Sequence, residues 1–68
     1  MRPVKLDARV DAAEAARYKL VRTDSYADIA GDIVWADEAS GSYAVRGRDS
    51  TVSEHCLGVG GLRIVPRR

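Results

Sequence analysis

The spacing of apolar residues changes character once along this chain. Up to Tyr18, Leu6, Val10 and Ala13 recur at the i, i+4, i+7 interval of one helical face, among the strong helix formers Ala8, Ala12, Ala13, Ala15 and Ala16. Asp7, Asp11 and Glu14 stand toward the start of this segment and Arg17 and Lys19 toward its end, the polarity that suits a helix dipole. The pattern predicts a helix over about 6–16. A helix this short is not stable alone in water, so it is expected to dock through its alanine-rich stripe. From Tyr18 onward the pattern is that of strands. "YKLVRT" reads as a strand ending where turn formers begin at Asp24. "DSYADIAG" reads as a loop with one helical turn, capped by Ser25 with Asp28 and closed by Gly31.

The stretch "GDIVWADEASGSYAVRG", residues 31–47, carries the strongest hairpin signal. "DIVWA" and "SYAVR" are strands, Asp37 braces the turn through its side chain, and Gly41 takes a positive φ. Strict alternation puts Ile33 with Trp35 on one face and Val34 with Ala36 on the other, and sets Tyr43 and Val45 together across the turn. Trp35 and Tyr43 are then expected to pair as a core aromatic couple. "TVSEHCL" follows as a strand with no cleanly apolar face, which suits a bulge or an edge position. "GVGG" turns tightly and "LRIVP" is the last strand.

Sixty-eight residues make one domain, read as a helix about 6–16, a barrel about 17–66 and a basic tail 67–68. A chain of this size buries only about 60% of its extended surface, so its core is thin. Cys56 is the only cysteine and His55 the only histidine, too few for a disulfide or a structural zinc site. With no apolar run long enough to span a bilayer and no secretory signal behind "MRPVKLDARVD", the expectation is a cytoplasmic protein off the membrane, a monomer or small homo-oligomer.

The net charge is +1, but the charges are segregated. Residues 1–23 hold six basic and three acidic side chains, residues 24–45 hold five acidic and no basic ones, and residues 46–68 hold five basic and two acidic ones. A basic side and an acidic side follow if the chain ends lie together.

The order of these elements, with a long first loop, a tight central hairpin and a Gly-rich turn before the last strand, resembles an SH3-like five-stranded small barrel with a short N-terminal α-helix. The resemblance covers residues 17–66 and rests on layout. The acidic-aromatic run and Pro-x-x-Tyr stretch that build the proline-rich peptide groove of eukaryotic SH3 domains are missing, which argues against PxxP recognition. "GDIVWADEASGSYAV" is also similar to the central hairpin of the plasmid-borne type II dihydrofolate reductases, tiny SH3-like tetramers. "TVSEHC" stands where their substrate-binding Val-Gln-Ile-Tyr stretch would be, so no active-site residue carries over.

Several constellations invite chemistry. His55 and Cys56 are neighbours in a strand and point to opposite faces, so they do not share a proton, and Cys56 is expected as a small buried hydrophobe. Asp24, Asp28 and Asp32 recur every four residues but lack the alternating spacing of a calcium loop. Gly58, Gly60 and Gly61 lack the Lys-Ser/Thr of a phosphate loop. The expectation is a non-enzymatic binding module without cofactor or metal. It would engage a protein partner through Tyr26, Asp28, Trp35, Asp37, Glu38 and Tyr43, loop aromatics beside an acidic face, as an accessory subunit or an inhibitor of a larger machine. The alternative is a nucleic-acid-binding barrel using Arg46, Arg48, Arg63, Arg67 and Arg68 beside Tyr43, which the near-neutral total charge weakens.

Overall fold

The structure is a computed structural model and describes residues 5–6 and 11–67. The fold is mainly β: among the described residues, one short helix and six strands form two three-stranded antiparallel sheets that do not close into a barrel. Helix α1 spans Ala12–Ala15 and strands β1 to β6 span Tyr18–Arg22, Ala27–Ile29, Asp32–Asp37, Ser42–Arg46, Val52–Cys56 and Leu62–Pro66. The first sheet runs β2-β1-β6 and the second β3-β4-β5.

Of the helix predicted over 6–16, residues 7–10 lie outside the described residues, and the described part is helical over Ala12–Ala15 alone. Asp11 accepts a hydrogen bond from the Ala13 N–H at 2.9 Å and caps the segment, so helical geometry begins at Ala12. Leu6 lies outside the helix and is buried in the core, Ala13 faces solvent, and Val10 falls outside the described residues. The predicted stripe is therefore not the docking face. Residues 24–31 also depart from expectation. In place of a helical turn, β1 and β2 form a hairpin in which Arg22 pairs with Ala27, and Tyr26 leaves the turn with φ of 53°. Arg22 drives this by gripping Asp24 through two bonds, Nε to Oδ1 at 3.2 Å and Nη2 to Oδ2 at 2.7 Å.

The second sheet keeps the predicted hairpin but not its alternation. Ile33 pairs with Val45 and Trp35 with Ala44, so Val34 is an extra residue, a β-bulge. The bulge advances the pleat by one position: Ile33 and Ala36 both face the core with Tyr43 and Val45, and Trp35 turns to the opposite face, half-buried beside Ala44. Trp35 and Tyr43 consequently do not pair. The Tyr43 ring stacks instead on His55, with centroids 5.1 Å apart.

The core consists of Leu6, Leu20, Ile33, Ala36, Tyr43, Val45 and Leu62, with Tyr18, Ile29, Leu57 and Ile64 packed against it. Leu20 and Leu62 are the largest fully buried side chains; Leu20 stands in the middle of the central strand β1 and Leu62 opens β6 opposite Arg22. β5 is an open edge strand. Leu57 N–H bonds the Gly41 carbonyl and Gly47 N–H bonds the Thr51 carbonyl, so by alternation the backbone groups of Val52, Glu54 and Cys56 face away from β4. Every β5 residue is exposed, including Cys56, which corrects its expected burial. The charge on Glu54 discourages a further strand from adding there.

Where the β3–β4 turn meets the loop after β5, the backbones touch. A Cβ on Gly41 would lie 2.0 Å from the Gly58 carbonyl oxygen, and Gly41 has φ of +77°. Gly60 shares the left-handed conformation, with φ of +79°, but faces open space. Gly60→Ala is expected to cost about 1 to 2 kcal/mol from backbone conformation alone. Gly41→Ala adds a backbone clash and is expected to cost more than about 4 kcal/mol. Urea unfolding of both variants checks this, and equal losses would show that the contact is not made in solution.

Candidate functional site

Three turns converge at one end of the molecule. Thr23 begins the β1–β2 turn; its N–H donates to the Gly61 carbonyl at 3.1 Å and its hydroxyl to the Gly60 carbonyl at 2.6 Å, which ties that turn to the β5–β6 loop. The β3–β4 turn joins the same loop through Leu57 N–H and the Gly41 carbonyl at 2.8 Å. Tyr26, 84% exposed, and Val59, 90% exposed, are the most exposed large hydrophobic side chains among the described residues, and both are carried by this end. Two bare apolar groups on turns linked by hydrogen bonds make a small, pre-organised contact surface.

The structure distributes the six residues expected to bind a partner over several roles. Tyr26 is free at the turn tip. Asp28 lies on the outer face of the first sheet, 3.3 Å from Lys19 Nζ. Asp37 holds its own turn, its Oδ1 accepting from Ala39 N–H at 3.1 Å and its Oδ2 from the Ser40 hydroxyl at 2.9 Å. Glu38 reaches the first sheet, where its Oε2 accepts from the Ile64 N–H at 3.1 Å. Tyr43 is only 7% exposed, so the core removes its ring from the predicted face. Trp35 is half-buried on the outer face of the second sheet, apart from the core it was expected to anchor.

Two of the acidic side chains are paired locally, Asp24 with Arg22 and Asp28 with Lys19. Arg22 holds the Asp24 carboxyl below the usual carboxylate range by a direct hydrogen bond, and Asp24 raises the Arg22 guanidinium in turn. Asp49 is held low by the Thr51 N–H and hydroxyl, and braces the β4–β5 loop. Among the described residues no group of three His, Cys, Asp or Glu side chains is placed to hold a metal ion.

Of the arginines, Arg46 and Arg67 line one cleft beside Tyr18, at the end of the molecule away from Tyr26. Arg48 is exposed in the β4–β5 loop, Arg63 is exposed on β6 opposite Val21, and Arg68 lies outside the described residues. The first and last strands meet, since the Arg67 N–H bonds the Arg17 carbonyl and β1 pairs with β6 along its length.

Two features were not read from the sequence. Val59 sits in "GVGG", where the glycines signal a turn and nothing marks the valine as its exposed tip. The Glu38 contact joins residues far apart in the chain, and no local spacing announces it. No helix among the described residues is long and apolar enough to cross a membrane. No protein-family model, no curated protein and no solved structure matches this chain.

Glu38→Ala is expected to lower stability by about 1 kcal/mol and to speed hydrogen exchange at the Ile64 amide, because that N–H loses a carboxylate acceptor. Glu38→Gln retains an acceptor and should keep most of the protection; unchanged exchange at Ile64 in the alanine variant refutes the contact. A second expectation concerns Cys56. The Ser42 hydroxyl, 3.6 Å from Sγ, and the Gly58 N–H hold its thiol below the ordinary cysteine range. The folded state thus releases the proton first, so the thiolate contributes to stability at high pH and that contribution fades as pH falls through the folded value. Iodoacetamide should label the folded protein at a lower pH than the urea-unfolded chain, and Ser42→Ala should move the folded profile upward. Coincident folded and unfolded profiles would contradict this.

Proposed function

We propose that this chain is a small non-enzymatic module that binds a protein partner, built on an SH3-like barrel in which β2 and β3 are two halves of one strand bent at Gly31. Support for the fold comes from strand order. Counting Ala30–Gly31 as a bend joins β2-β1-β6 and β3-β4-β5 into the single series β6-β1-β2/β3-β4-β5, open between β5 and β6. Gly31 has φ of +116° and stands against Val45 and the Arg46 carbonyl, where a Cβ would come within 3.1 Å of both.

The observation that carries the function is the pairing of Tyr26 and Val59 on turns tied through Thr23. Exposed aromatic and aliphatic groups on rigid turns are the usual anchors of a protein interface. The predicted partner face is narrower than the sequence implies, since Tyr43, Asp37 and Glu38 are engaged internally. The recognition surface is therefore centred on Tyr26 and Val59, with Asp24 and Asp28 at its side. A role as accessory subunit or inhibitor of a larger machine in a reducing cytoplasm accords with a compact module that leaves its one thiol exposed. Nucleic-acid binding is the second reading, favoured by the placement of Arg46 and Arg67 in one cleft with Tyr18.

Affinity capture from the source cell with the full chain tests both. A protein recovered by the wild type, and lost at least tenfold with Tyr26→Ala and with Val59→Ser at unchanged melting temperature, is expected. Recovery of nucleic acid alone, with a steep salt dependence that Arg46→Ala reduces, would replace the proposal with the second reading.

A further inference from the structure

We propose that the cleft between α1 and the Asp32–Arg46 end of the second sheet is a binding site for a monocarboxylate carried on an apolar stem. The cleft encloses about 360 Å³, within the range of small-molecule sites. Part of its wall is apolar, with Ala12, Ala15 and Ala16 of α1 and Ile33 and Val34 of β3, and the rest is polar. Alanine side chains leave room at this junction that larger residues would fill, so the alanine-rich segment has a use beyond helix propensity.

The polar groups are few and set toward one charge. Arg67 is anchored, its Nε donating to the Tyr18 carbonyl at 2.9 Å and its backbone N–H to the Arg17 carbonyl, and among the described residues none takes up the terminal nitrogens of its guanidinium. Arg46 is half-buried and pairs in register with Asp32 across the hairpin, yet no ion pair forms between them. Among the described residues, two guanidinium groups and one carboxylate line the cleft and leave a single positive charge to balance. A monoanion matches that; a phosphate dianion would overshoot it and lie against Asp32. A planar carboxylate also fits the fork geometry of arginine, and the apolar walls accept the stem. This site lies at the end of the molecule remote from Tyr26 and Val59, so it stands or falls independently of the partner surface there.

Two sources can supply such a group, a free aliphatic acid or the C-terminal residue of a peptide. Titration of the ¹⁵N-labelled full chain with hexanoate, and separately with acetyl-Gly-Gly-Val, distinguishes them by NMR. The expected result is a saturable shift at the Arg46 and Arg67 Nε–H signals and at the Ala15 and Val34 amides, with Kd of about 1 mM or tighter for one of the two probes. Arg46→Gln and Arg67→Gln should each weaken that probe at least tenfold. Asp32→Asn should tighten it and admit inorganic phosphate. Ala15→Leu fills the cleft from the helix and should abolish binding without lowering the melting temperature, which decides the matter if an arginine variant fails to fold. The proposal is overturned if neither probe saturates, if Arg46→Gln or Ala15→Leu binds as the wild type does, if inorganic phosphate binds the wild type as tightly as the carboxylate, or if oligothymidylate shifts these signals while neither carboxylate does.

Discussion

The contact of Gly41 with the Gly58 carbonyl is the constraint on which the rest of the structure depends. The chain leaves the second sheet after Cys56 and enters the first at Leu62, so the loop between them is the hinge of the two sheets. At that hinge the β3–β4 turn comes so close that only hydrogen fits on the Gly41 α-carbon. Thr23 fastens the β1–β2 turn to the same loop, and Glu38 reaches over to the Ile64 N–H. Three turns from two sheets are thereby locked together, with Leu57 and Leu62 at the ends of the shared loop packed into the core. In a domain whose core is one small cluster, backbone and side-chain hydrogen bonds at this end supply orientation that the core alone supplies weakly.

The same arrangement explains where accessible chemistry is found. At the locked end, the turns have little interior in which to hide large side chains, so Tyr26 and Val59 project into solvent on a rigid base. At the other end, a four-residue helix with small side chains closes only part of the space beside β3, and a cleft remains with Arg46 and Arg67 at its rim. Part of the acidic segment is taken up by local pairing. Arg22 and Lys19 take up Asp24 and Asp28 across the first hairpin, and the Arg17 and Arg67 backbones meet because β1 and β6 are paired. Charge that looks like a signature in one dimension becomes turn bracing in three.

Much of the strand framework was legible from local pattern. Tyr18–Arg22, the hairpin strands flanking Asp37 to Gly41, Val52–Cys56 and Leu62–Pro66 all lie where alternation and turn formers put them. Asp37 and Gly41 act in the turn as their chemistry implies. Three failures have distinct causes. Over the described residues the helix is confined to Ala12–Ala15 because Asp11 caps where alanine propensity alone would run on. β2 was hidden in a segment rich in turn formers, because its strand character comes from pairing with β1 and not from its own three residues. Trp35 was misplaced by a single bulge, since one extra residue at Val34 inverts the faces that follow it relative to Ile33 and parts Trp35 from Tyr43.

The sequence by itself determined the strand positions, the turn braced by Asp37 and Gly41, and the absence of disulfide support, because each follows from interactions within a few residues or from a simple count. Tertiary structure alone decided which aromatic is buried, which carboxylate is spent on a backbone N–H, and which arginines share a cleft. Those outcomes depend on pairing between β1 and β6, on the bulge in β3 and on the meeting of Gly41 with Gly58. Each joins residues far apart in the chain, and a local pattern carries no record of a partner that distance in sequence conceals.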